Sequence, residues 1–146
     1  SWGEPMGKMM VIVSSLILQL LGNEVGNMQD IRQIRILCQE TEIIYTLNDS
    51  QAATELYNQL PLEVPVENFS HNEKIFYPLE SLDTSDAPLA SGGSGILAYY
   101  APWQDVVLFY DDFQANSALF ALGTCTASET EIAALHGTIR IEKVVE

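Results

Sequence analysis

Hydrophobic positions in this chain fall mostly into short runs that alternate with polar ones, the period of half-buried β-strands. Ile31 to Leu37 reads Ile-Arg-Gln-Ile-Arg-Ile-Leu and Glu42 to Leu47 reads Glu-Ile-Ile-Tyr-Thr-Leu, which predicts a hairpin turning at Gln39-Glu40-Thr41. The period then changes. Asn48-Asp49-Ser50 supplies N-cap side chains, and Ala52, Ala53, Leu56, Tyr57 and Leu60 recur at helical spacing until Pro61 pushes its predecessor out of the α region. Two further short strands follow, Leu62 to Glu67 and Glu73 to Tyr77, divided by a polar turn at Ser70-His71-Asn72. From Leu82 to Gly95 the chain is rich in Asp, Ser, Ala, Pro and Gly, which predicts a long surface loop, either a lid or binding loop or a disordered segment.

Gly95 to Phe113 is the richest stretch, with two apolar, aromatic runs flanking Pro102-Trp103-Gln104-Asp105. It reads as a hairpin. Alternation puts Leu97 and Tyr99 on one face and Ile96, Ala98 and Tyr100 on the other, and divides Val107 and Phe109 from Val106, Leu108 and Tyr110. Both faces are apolar, so periodicity leaves open which one is interior, and the outer face must itself be covered. Beyond it lie an apolar strand from Ala118 to Leu122, a capping box at Ser128-Glu129-Thr130-Glu131, a helix through Leu135 stopped by Gly137, and a final strand from Thr138 to Val144. About eight short strands with two short helices predict a mainly β fold, a closed barrel because closure removes unpaired edges. An open sandwich and a split α+β fold are the competing architectures.

Residues 1 to 27 have a different pattern. Ser1 to Pro5 carry no fold information, and Lys8 to Leu21 is one cation followed by an apolar run too short to span a bilayer, which takes ~20 residues. The run has the shape of a secretory signal, yet no small-x-small cleavage site follows it. As a helix it would confine Lys8, Ser15, Gln19 and Gly22 to one stripe and need an apolar partner elsewhere. The chain thus divides into an N-terminal extension, 1–27, with an extra helix that either docks, makes a homo-oligomer or directs export, and a domain at 28–146. Export would place the domain outside the cytoplasm; a docked helix fits a cytoplasmic one.

Composition narrows the chemistry. With 20 acidic and 6 basic residues the formal charge is -14, and no Lys/Arg cluster exists to bind nucleic acid or anionic lipid. The chain has 2 cysteines, Cys38 and Cys125, without metal-ligand or Cys-x-x-Cys spacing, so buried free thiols are expected, with a disulfide or a reactive thiol as the alternatives, and no metal or other cofactor is implied. His71 and His136 lie far apart with no nucleophile motif, and Asp111-Asp112 lacks the further oxygen ligands a cation needs. No residue is assigned a catalytic role.

Several segments, taken in order, carry a resemblance. Leu47-Asn48-Asp49-Ser50 opens a helix that Leu60-Pro61-Leu62 closes, Asn72-Glu73-Lys74 precedes an aromatic strand, and Tyr99-Tyr100-Ala101-Pro102-Trp103 is followed by Leu108-Phe109-Tyr110. From about Ile31 to Val145 the chain resembles the bacterial cyclophilin-like domain family. The resemblance implies a cyclophilin-type closed eight-stranded barrel with helices over its ends; the family's activity is largely uncharacterised, and fold does not fix function. Where relatives commonly read Gly-Asp before the hairpin strand, this chain has Gly95-Ile96. The Phe-His-Arg segment and Phe-Phe pair of the prolyl isomerases are also missing. Lys74 would stand in for the isomerase arginine only as a point charge, without the planar fork.

These features favour a non-enzymatic domain that takes a small molecule or an extended peptide into an aromatic cleft beside the 95–113 hairpin. Its candidate lining is Lys74, Tyr77, Tyr99, Trp103, Phe109 and Phe113, the rings supplying apolar area and the Tyr hydroxyls and indole N–H orientation. Peptidyl-prolyl isomerisation is the enzymatic alternative, and oligomer formation through the N-terminal helix the structural one.

Overall fold

A computed structural model describes residues 31–145 of the chain. Nine strands form one antiparallel sheet: β1 Gln33–Cys38, β2 Thr41–Leu47, β3 Leu62–Pro65, β4 Glu67–Phe69, β5 Glu73–Phe76, β6 Ile96–Tyr100, β7 Asp105–Phe109, β8 Leu119–Thr124 and β9 Thr138–Lys143. Two helices interrupt them, α1 Gln51–Asn58 and α2 Glu129–Ala133. Local chemistry sets both starts: the Ser50 hydroxyl accepts from the Ala53 N–H, and Ser128 and Glu131 form a reciprocal capping box. Gly137, at φ +69°, takes the left-handed conformation that lets the chain turn from α2 into β9.

The order across the sheet is β3-β9-β1-β2-β8-β6-β7-β5-β4. The closed barrel expected from the sequence is therefore corrected to an open ladder. β3 pairs β9, β4 pairs β5, and no hydrogen bonds join β3 to β4. The physical reason lies at Val66, which separates the two edge strands in the chain. The Val66 N–H still reaches the Gly137 carbonyl at 2.9 Å, one position on from the Pro65–Thr138 pair, whereas Glu67 already pairs with Ile75, so the run predicted as one strand passes from β9 to β5 there. Because a single residue joins its two edges, the sheet must curl strongly, and its concave side holds the main core.

That core contains Ile34, Ile36, Tyr45, Leu97, Tyr99, Leu108, Leu122 and Ile141, with Leu56 of α1 and Ile132 of α2 packed over it. A second apolar cluster, Ile75, Ala90, Ala98, Val107, Phe109 and Leu119, lies apart from the first. The Leu82–Gly95 segment is a loop pinned to the sheet. Leu82 N–H donates to the Tyr99 hydroxyl at 3.1 Å, Ala90 N–H to Leu119 O at 2.9 Å and Ala121 N–H to Pro88 O at 2.7 Å. At its end Gly95 has φ +95°, and an added Cβ would sit 2.6 Å from the Cys125 carbonyl oxygen.

Cys38 and Cys125 are both free thiols. The helix expected over Lys8–Leu21, with the oligomer and export readings attached to it, lies outside the described residues. Among the described residues no helix is long and apolar enough to cross a membrane.

Candidate functional site

Strand register divides the aromatic hairpin between two environments. In β5, β6 and β7, Lys74 lies opposite Leu108, Leu97 opposite Leu108 and Tyr99 opposite Val106. Directly opposed residues share a face. This face is the core side, where Tyr99 is buried and Lys74 is only 6% exposed. The Lys74 ammonium donates to the Asn68 side-chain oxygen, and burial draws its pKa below the usual lysine value.

The other face is built by the complementary set. Phe69 lies opposite Glu73, Glu73 opposite Phe109, Ile75 opposite Val107, and Tyr100 opposite both Asp105 and Leu119. Here the sheet carries a cavity of about 320 Å³. Val107, Phe109 and Leu119 give it an apolar floor, Phe69, Tyr100 and Trp103 stand at one side, and the segment after β7 closes the other with Phe113, Gln114 and Asn116.

The rings brace one another. Phe109 and Phe113 stack with centroids 3.7 Å apart and planes at 14°, while Trp103 meets Phe69 edge-on at 5.0 Å and Tyr100 at 5.7 Å. Trp103 is 49% exposed, so it forms the rim. Its position follows from the turn, where Gln104 takes φ 61° and the Trp103 and Gln104 N–H groups both reach the Tyr100 carbonyl.

Two carboxyl groups and an amide stand out in the polar part of the lining. Asp105 is 1% exposed and its Oδ1 has no hydrogen-bond partner among the described residues. Asn72 donates through Nδ2 to the Asp112 carbonyl at 3.1 Å, leaving a buried Oδ1 without a donor. Glu73 lies half-buried, and its pKa is raised from 4.5 to about 7, first by burial and then by the charge of Asp105. Burial raises Asp105 as well, against a smaller opposing pull from its own backbone N–H. The pair can therefore hold a proton near neutrality or accept hydrogen bonds from a bound molecule. Ser70 also lines the cavity, within 3.2 Å of His71 Nδ1, but this is an exposed contact. Among the described residues no group of three or more His, Cys, Asp and Glu side chains is arranged to hold a metal ion.

Of the residues picked out in the sequence, Trp103, Phe109 and Phe113 come together in the cavity. Lys74 and Tyr99 point to the core instead, and Tyr77 is an exposed residue beyond the end of β5 that does not line it. Sequence reasoning missed Glu73, Asp105 and Asn72. The available signal was parity, since Glu73 and Lys74 face opposite ways and Asp105 shares a face with Phe109. The arginines lie elsewhere: Arg32 donates to Thr54, Arg35 pairs with Glu42 and Glu142, and Arg140 pairs with Glu63 and Glu142.

Comparison with known proteins adds the lineage. The model of the cyclophilin-like family matches residues 36–142. Among solved structures, the solution structure of a hypothetical protein from Archaeoglobus fulgidus aligns with a TM-score of 0.61 at 17% identity, covering 78% of this chain and 95% of its own. At that identity the likeness speaks to fold alone. No curated protein matches the chain.

Proposed function

The chain belongs to the cyclophilin-like family, and from that premise and its outer face we propose that it is a binding domain, taking a small molecule into the cavity between Trp103 and Phe109. One observation carries the reading: a ring-lined hollow of about 320 Å³ whose buried acceptors, on Asp105 and Asn72, have no hydrogen-bond partner among the described residues. Buried polar atoms without partners are costly, and an aromatic enclosure with a few convergent polar groups is the usual make-up of a ligand pocket. The size favours a small ligand over an extended peptide, because it lies near the lower end of the ~300–1,000 Å³ common for such sites. Neither helix nor the Leu82–Gly95 loop contributes to the lining, so the site rests on strands and on the short segment after β7.

Prolyl isomerisation has no equivalent support. The three arginines are engaged away from the cavity, and Lys74, the candidate substitute, faces the core. Screening a fragment library by heteronuclear NMR tests the proposal. Hits should shift Trp103, Phe109 and Phe113 together, and hits confined to any other surface would refute it.

A further inference from the structure

Resting on the binding reading above, we infer that the cavity selects a small protonated primary amine with an apolar body. Three observations converge on the charge of the ligand. First, the two unpartnered buried atoms on cavity-lining residues are both acceptors. Asp105 Oδ1 and Asn72 Oδ1 are buried acceptors without partners among the described residues, and the hydrogen bond from Asn72 Nδ2 to Asp112 O commits the donor end of that amide and leaves the acceptor end free. A ligand with several N–H donors satisfies such a wall, and one that brings only acceptors leaves it worse off.

Second, Asp105 is 1% exposed, yet among the described residues no Lys or Arg lines the cavity to balance it. Lys74 of β5 is on the opposite face, where its ammonium is held by Asn68, the residue directly across from it on β4. A buried carboxylate left unpaired in this way gains from an ammonium, through a charge-assisted hydrogen bond. Third, Trp103 stands edge-on to both Phe69 and Tyr100 at the mouth, so ring faces turn in different directions around one opening. Aromatic faces attract cations, tryptophan most strongly. The apolar floor at Val107 and Phe109 then accommodates the body of the molecule.

The probes are 2-phenylethylamine, neutral 2-phenylethanol and anionic 3-phenylpropanoate, which share a phenyl body and differ in the polar end. They are titrated into the full chain by calorimetry and NMR at about pH 8, where Glu73 is mainly ionised. The amine is expected to bind at least about ten-fold more tightly than the alcohol, with the acid weakest. Asp105→Asn should remove that preference while alcohol binding persists. Glu73→Gln, at a half-buried position that tolerates the change more readily, should reduce it. Alcohol binding as tightly as the amine, or a preference surviving both substitutions, overturns the inference and leaves the binding reading intact. If none of the probes moves Trp103 or Phe109 resonances, this inference falls; the fragment screen separately decides the binding reading.

Discussion

Glu73 and Asp105 are polar groups that the fold makes apolar in effect, and the cost is measurable. Burial and the nearby Asp105 charge hold Glu73 at about 7 against an ordinary 4.5, so the folded state favours the protonated form. Stability from this group is present below about pH 4.5 and is lost as pH rises towards 7. The expected loss across that window is about 1–2 kcal/mol, reduced from the full linkage value because Glu73 keeps partial contact with solvent. Asp105, also raised, acts with the same sign. Glu142 and Asp83 are held low, by Arg140 and by Ser85 respectively, and their contributions change only at more acidic pH. Urea denaturation at pH 4.5 and 7.5 checks this, with Glu73→Gln expected to show a smaller fall than wild type; parallel falls in the two proteins would contradict it. These acids were obscure in the sequence because Glu73 sits beside Lys74 as an ordinary charged pair. Only strand parity separates the residue that lines the cavity from the one that enters the core.

At the scale of the element, β7 explains why the hairpin was easy to find and its inner face was not. All its residues, Asp105–Phe109, are buried. Strand, turn and aromatic content were legible from Gly95 to Phe113, whereas a strand covered on both sides has no polar stripe to mark an outside. Tertiary contacts decide it: Leu108 joins the main core and Val107 the cavity-lining cluster. Truncation should expose the difference. Leu108→Ala removes side-chain atoms from the fully enclosed core and is expected to cost about 3 kcal/mol, while Val107→Ala, bordering an existing hollow, should cost about 1–2 kcal/mol. Denaturant midpoints with unchanged slopes measure both, and equal costs would show that the outer cluster is packed as tightly as the core. Other elements were less legible. The switch of partner at Val66 is set by strands far along the chain, and the Leu82–Gly95 loop is tied down by a bond to the Tyr99 hydroxyl and by backbone bonds to Leu119 and Ala121 that no local pattern records.

For the whole molecule, the -14 formal charge changes what the cavity meets. Excess acids repel one another in the compact state, and the same field concentrates cations near the surface. Salt weakens both effects, since the screening length falls from about 20 Å at 20 mM to about 6 Å at 300 mM. The consequences have opposite signs. Melting temperature should rise over that range as self-repulsion is screened, and 2-phenylethylamine affinity should fall as the attraction of Asp105, Glu73 and the surrounding field is screened. Hydrophobic contact with Val107, Phe109 and the rings has no reason to weaken with salt, so an apolar occupant would hold its affinity or gain. Thermal melts and calorimetric titrations on one set of samples separate the cases: stability and amine affinity rising together would mean that the rings, and not the carboxylates, govern what the cavity takes.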